Sequence, residues 1–100
     1  MPKDQIEPTV EVRSGFFERR RLRRIRMIIE LTLNLISSDM TVSHREARSL
    51  VACARKAILD LYPLFEERYE RIVRPHFDRI LGARWPSEEA LHNAATELVN

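Results

Sequence analysis

The segment from Phe16 to Ile36 places apolar residues on two sides of one helix, and this pattern constrains the fold more than any other feature. At 100° per residue, one apolar stripe contains Leu22, Ile25, Ile29, Leu33 and Ile36. A second stripe, on nearly the opposite side, contains Met27, Ile28, Leu31 and Leu35. Because each stripe needs a surface to pack against, we predict that this helix is central in a bundle or lies in a dimer interface.

The rest of the chain predicts an all-α fold. The sequence has 100 residues and two glycines, so few positions favour the tight turns of a β-rich chain, and its length fits one domain. We predict a compact bundle of three main helices, at about 14–37, 43–61 and 63–81, and a short C-terminal helix at about 87–98. Residues 1–13 carry alternating charges without a sustained apolar pattern, which predicts a mobile N-terminal arm.

Local signals mark the helix ends. Ser43 and Glu46 have the spacing of a capping box, in which each side chain accepts a hydrogen bond from the other residue's backbone amide. Pro63 suits the first turn of the third helix. Pro75 removes a backbone donor inside that helix, which predicts a kink near it, and Gly82 is the expected stop. The short fourth helix is expected to bury Leu91, Ala94 or Ala95, and Leu98.

Basic residues are concentrated at the start of the first helix. Six arginines occur there, at Arg19, Arg20, Arg21, Arg23, Arg24 and Arg26. Guanidinium groups bind phosphates bidentately, so this cluster is a candidate polyanion-binding site, which Arg45, Arg48, Arg55 and Lys56 of the second helix would widen. The alternative is a solvated helix end, partly neutralised by acids of the third helix such as Glu66, Glu67 and Glu70. No aromatic residues are interleaved with the arginines, which disfavours a base-stacking surface.

The sequence predicts a cytoplasmic protein. No apolar run approaches the ~20 residues of a membrane-spanning helix. A single cysteine, Cys53, excludes an intramolecular disulfide and fits a reducing compartment. Binding at a membrane surface is disfavoured, because charge and apolar residues in the first helix are separated along its axis rather than between its faces.

Two patterns partly match metal sites. Glu89 and His92 form an E-x-x-H, but no second such pair exists, so we predict that both are surface residues of a short terminal helix. The segment from Leu35 to Glu46 has the length of an EF-hand loop, but Leu35 stands at the first ligand position and Met40 replaces the glycine. We therefore predict no metal and no cofactor.

Catalytic motifs are also missing from the sequence. There is no glycine-rich phosphate loop or nucleophile elbow, and His44 lies more than two helical turns from Cys53. We predict no catalytic residue and no small-molecule substrate. The sequence favours a small non-enzymatic α-helical interaction or regulatory module that binds a protein partner or a second copy of itself. The predicted interface is Met27, Ile28, Leu31 and Leu35, and the alternative is a nucleic-acid-binding protein that uses the arginine-rich half of the first helix.

Overall fold

The computed structural model describes the backbone of residues 10–99 and the side chains of residues 15–98. Its helices are α1 (Val10–Ser38), α2 (His44–Leu61), α3 (residues 63–84) and α4 (Pro86–Val99). The predicted all-α bundle with a short C-terminal helix is confirmed. α1 begins four residues before its predicted start, at Val10, and residues 1–9 of the expected arm lie outside the described residues.

A short connection with its own hydrogen bonds reverses the chain between α1 and α2. The carboxylate of Asp39 accepts hydrogen bonds from the amide and the hydroxyl of Thr41, at 2.9 and 2.6 Å. Ser43 then caps α2, because its hydroxyl oxygen accepts from the amide of Glu46 at 3.1 Å. The Glu46 carboxylate accepts from the amide of Ser43 at 2.9 Å. The predicted capping box is confirmed, and it fixes where α2 begins.

α3 is a continuous helical segment whose hydrogen-bond pattern changes along its length. A 3₁₀ turn at Pro63–Phe65 leads through Glu66–Arg68 into a π turn at Tyr69–Val73, and a regular α-helix follows at Arg74–Arg84. At the end of the π turn, the amide of Arg74 donates to the carbonyl of Tyr69, five residues back. The irregularity predicted near Pro75 thus takes the form of a wider turn just before the proline, where the regular ladder would clash with the pyrrolidine ring.

Gly82 does not end α3, contrary to the prediction. It has no positive φ, and the helix continues to Arg84. The amide of Trp85 donates to the carbonyl of Leu81 at 2.9 Å, and Pro86 then begins α4. The residue before a proline is disfavoured in helical geometry, so the Trp85–Pro86 pair explains the break better than the glycine does.

The core lies where α1, α2 and α3 meet. α1 packs against α2 and against the Arg74–Arg84 part of α3, which also carries α4. The buried apolar residues are Ile25 and Ile36 from α1, Ala47, Ala54 and Ile58 from α2, and Phe65, Tyr69, Val73, Phe77 and Leu81 from α3. The side chain of Arg84 ties two helix ends together, because it donates to the carbonyls of Ile36 and Asp39 at 2.8 and 3.1 Å.

Candidate interaction surface

The two apolar stripes of α1 have different surroundings. The first stripe faces the core: Ile25 and Ile36 are buried, and Leu22, Ile29 and Leu33 pack against them. Thr32 is buried beside this stripe and donates its hydroxyl to the carbonyl of Ile28 at 2.8 Å, so its polar group is satisfied within the helix.

The second stripe stays largely uncovered. Met27 and Leu31 each remain 63% exposed, whereas Ile28 and Leu35 are half-buried. α1 therefore packs against α2 and α3, and part of its second apolar side faces away from the bundle.

A concave surface of about 540 Å³ lies along this second side. We call it the outer groove, and it is lined by Arg24, Met27, Ile28, Glu30, Leu31, Asn34 and Leu61. Three of the four residues in the predicted interface line it, and Leu35 does not. The sequence pattern missed Leu61, because that residue belongs to the end of α2 and reaches the groove only through the packing of α2 on α1.

The outer groove continues into a basic depression nearer the start of α1. This basic notch, of about 300 Å³, is lined by Phe17, Arg20, Arg21, Arg24 and Leu61, so Arg24 and Leu61 belong to both surfaces. An apolar groove that ends in guanidinium groups can bind a helix that has an apolar face and a negative charge at the end near the guanidinium groups.

Tyr62 stands beside the notch and orders two side chains of α1. Its hydroxyl donates to the carboxylate of Glu18 at 2.7 Å, and this hydrogen bond raises the pKa of the phenol. The guanidinium carbon of Arg21 lies 5.7 Å from the centre of the Tyr62 ring, within the range of a cation–π contact.

Among the residues with described side chains, the acids of α3 form no ion pair with the arginines of α1. Glu66 and Glu70 pair with Arg55 instead, at 3.3 and 3.0 Å. Glu67 pairs with Arg71 on its own helix, at 3.9 Å. The alternative interpretation is therefore wrong about these acids, and only its solvated helix end remains.

The α1 arginines themselves are mostly unpaired within the described part of the chain. Arg26 pairs with Glu30 of its own helix at 3.3 Å. Arg19, Arg20, Arg23 and Arg24 are exposed and make no ion pair within the part of the chain whose side chains are described. These guanidinium groups therefore keep their charge available at the surface.

Most α2 cations that were predicted to extend a polyanion site have partners inside the protein. Arg48 pairs with Glu89 and lies 3.9 Å from Asp78, Arg55 pairs with acids of α3, and Lys56 pairs with Asp60 at 2.9 Å. Only Arg45 of this set makes no ion pair among the residues with described side chains. The structure therefore places Arg20, Arg21 and Arg24 around the basic notch and pairs three of the four α2 cations with acids.

A buried carboxylate holds α4 to α2. Glu89 is 6% exposed, and its two oxygens meet two residues of the first turns of α2. One oxygen lies 2.8 Å from Nε2 of His44, and the other accepts from the guanidinium of Arg48. The prediction that Glu89 is a surface residue is wrong, since its partners lie more than 40 positions away in sequence and no local pattern marks them.

The apolar side of α4 is exposed, contrary to the prediction that it packs into the bundle. Leu91 is 72% exposed and Leu98 is 87% exposed, and Ala94 and Ala95 are exposed as well. Glu89 provides the reason, because its contacts with His44 and Arg48 fix which side of α4 faces α2 and turn the leucines away.

The described residues offer no assembled metal centre. No group of three or more metal-ligating side chains occurs among them. His92 is exposed, with its ring centre 6.4 Å from that of His44. Cys53 is exposed and lies on α2 away from His44, whose ring is engaged by Glu89.

Comparisons of the chain with protein-family models, with curated proteins and with solved structures found no match. None of the helices in the described part of the chain is long and apolar enough to cross a membrane.

Proposed function

We propose that this chain is a small non-enzymatic helical interaction module and that the outer groove is its docking surface. The observation that carries the proposal is the exposure of Met27 and Leu31, at 63% each, at the middle of a helix whose other side is in the core. Single exposed apolar residues are ordinary on protein surfaces. Met27 and Leu31, however, share one concave surface with Ile28 and Leu61, and such clusters of exposed apolar residues are typical of interaction sites.

The energetics favour a partner at this position. Full burial of a leucine or methionine side chain is worth roughly 1.5–3 kcal/mol, so covering the exposed parts of Met27 and Leu31 would contribute about 1–2 kcal/mol each. Neither side chain needs to move out of the core for this gain, because both already face outward. The groove is therefore preformed, which lowers the cost of ordering on binding.

The shape of the surface suits an amphipathic helix. The groove follows the axis of α1, with Met27 and Leu31 one turn apart, and helices commonly dock apolar residues at such i, i+4 spacing into a groove. The basic notch at one end favours a partner helix with an acidic residue at the matching end. The proposal includes a cytoplasmic location, where a free thiol such as that of Cys53 stays reduced.

Sedimentation from low to high micromolar concentration tests the proposal in its self-association form. We expect the wild type to associate, and a Met27→Glu, Leu31→Glu variant to stay monomeric, since the carboxylates would be desolvated in the contact. A matched control is Leu64→Glu, Ile72→Glu, which alters two exposed apolar residues of α3. Association that survives in the groove variant, or that is lost in the control, would contradict the assignment of this surface.

A second candidate function, polyanion binding, is favoured by the exposed arginines of α1. Arg20 and Arg24 point outward beside the basic notch, and no acid with a described side chain pairs with them. Phosphate contacts of this kind make binding fall steeply with salt, by a slope of about 0.9 for each phosphate neutralised.

Retention on duplex DNA and on RNA across a salt series tests this second candidate. We expect a triple variant, Arg20→Ala with Arg21→Ala and Arg24→Ala, to bind with a weaker salt dependence. The slope of log binding constant against log salt should fall by about 3 if all three arginines contact phosphates. The control is Arg68→Ala, Arg71→Ala, Arg79→Ala, which removes the same charge from exposed positions of α3. Absence of binding at low salt, or an equal loss in both variants, rejects a nucleic-acid site at the notch.

A further inference from the structure

We propose that the occupant of the outer groove is α4 of a second copy of this chain. This inference rests on the proposed function, because it takes the outer groove to be a docking surface. Its basis is that the described bundle leaves one apolar helix face largely exposed on α1 and another on α4. The α1 face ends at the arginines of the basic notch, and glutamates border the α4 face.

The uncovered face of α4 is well defined. Glu89 marks the side that faces α2, and at 100° per residue Leu91, Ala94, Ala95 and Leu98 lie on the opposite side. All residues from 90 to 98 are exposed, so this face is free within one copy. The contacts of Glu89 with His44 and Arg48 hold α4 in that orientation, which presents the leucines outward as a preformed ligand helix.

The charges of the two faces are complementary. Between Pro86 and Val99, α4 contains three glutamates and no lysine or arginine. Glu88 and Glu97 fall at the two borders of the leucine face, and both are exposed. The basic notch at the end of the outer groove contains Arg20 and Arg24, which are exposed. Unlike a second α1, which would place arginines near arginines, α4 brings acids to this surface.

The charge pattern also sets the direction of the docked helix. If α4 runs antiparallel to α1, Leu91 lies beside Leu31, and Glu97 and Leu98 lie beside Arg24. Leu91 and Leu98 are seven positions apart, as are Leu31 and Arg24, and seven positions span about 10 Å along a helix. Leu91 can therefore lie beside Leu31 while Leu98 lies beside Arg24. The negative C-terminal end of the α4 dipole then also faces the arginines.

This contact joins two different surfaces, which permits a complementation experiment. A groove variant, Met27→Glu with Leu31→Glu, keeps an intact α4. A helix variant, Leu91→Glu with Leu98→Glu, keeps an intact groove. All four positions are more than 60% exposed, so neither pair of changes removes a core contact. Circular dichroism of each variant should match the wild type, and Leu64→Glu, Ile72→Glu again serves as the control.

We expect each variant alone to be monomeric in sedimentation, and an equimolar mixture of the two to form a heterodimer, because one α4 and one groove remain intact. We also expect Arg24→Glu alone to weaken self-association by about fivefold, and Glu97→Arg in the same chain to restore it.

Each contrary result has a distinct meaning. If the helix variant alone associates like the wild type, α4 is not the occupant, whereas the groove remains the docking surface in a symmetric contact between two α1 helices. If the groove variant alone associates, both the inference and the self-association form of the proposed function are overturned. A wild type that is monomeric at high micromolar concentration overturns the inference and leaves the groove to a different partner.

Discussion

Replacement of Glu89 by glutamine tests the interaction that orients α4. Glu89 is the buried acid of α4, and its carboxylate meets both the imidazole of His44 and the guanidinium of Arg48. Glutamine has nearly the same shape and keeps one acceptor oxygen, so the change removes charge without opening a cavity. It leaves the Arg48 side chain, which is 22% exposed, with Asp78 at 3.9 Å as its remaining acidic partner.

The expected loss of stability in Glu89→Gln depends on how far Glu89 and Arg48 are buried. Removal of one partner from a fully buried ion pair costs about 3–5 kcal/mol, and exposed pairs contribute about 0–1 kcal/mol. The Glu89 and Arg48 side chains are 8% and 22% exposed, so the pair lies nearer the buried limit. Arg48 keeps access to solvent and to Asp78, and glutamine keeps one hydrogen bond, so we expect a loss of about 2 kcal/mol.

Urea unfolding followed by circular dichroism measures this loss, and thermal unfolding should show a fall in Tm of about 8–16 °C. The control is Glu88→Gln, the same chemical change at the exposed neighbouring residue, which should alter stability by less than about 0.5 kcal/mol. If Glu89→Gln were as mild as Glu88→Gln, the reasoning that the buried carboxylate holds α4 in place would be refuted.

Further changes test other parts of the account. Gly82→Ala should stabilise the protein by about 0.5–1 kcal/mol in urea unfolding, because Gly82 is helical and an added Cβ meets no atom within 4 Å; destabilisation would contradict this. Ser43→Ala should cost about 1 kcal/mol through loss of the α2 cap, and Ser43→Gly clearly less. Burial pushes the pKa of Glu70 up, but hydrogen bonds from Arg74 and Arg55 outweigh it and hold the pKa below its usual value. Its stabilising contribution is therefore fully present above the ordinary glutamate pKa of 4.5 and is lost as the pH falls through the lowered pKa. Glu70→Gln should destabilise the protein at pH 7 and approach the wild type in acid, and a constant difference would count against this ion pair.

The features that the sequence predicted correctly depend on neighbours close in the chain. The capping box needs residues three apart, and the inner stripe of α1 needs only helical periodicity, so both could be read directly. The end of α3 was misplaced at Gly82, because a glycine permits a helix stop without requiring one, whereas Pro86 disfavours continuation past Trp85.

The errors concern contacts between distant segments. Periodicity identified the leucine face of α4 but could not say whether it faces the bundle, and the outcome was decided by Glu89, whose partners lie on α2. Likewise, charge counting allowed the acids of α3 to meet α1, but Glu70 lies nearer Arg55 and Arg74. Only part of the outer groove could be predicted. Periodicity in α1 identifies Met27, Ile28 and Leu31, but Leu61 reaches the groove only because α2 packs against α1.

The central claim, that the outer groove is covered when the protein associates, is tested most directly by thiol reactivity. In a Cys53→Ser background, a Leu31→Cys variant reports on the groove and a Leu64→Cys variant on an exposed position of α3 outside it. The rate of thiol modification is measured from low to high micromolar protein. The account predicts that Leu31→Cys reacts rapidly when dilute and becomes protected as concentration rises, whereas Leu64→Cys stays reactive throughout. Equal, concentration-independent rates at the two positions would contradict it.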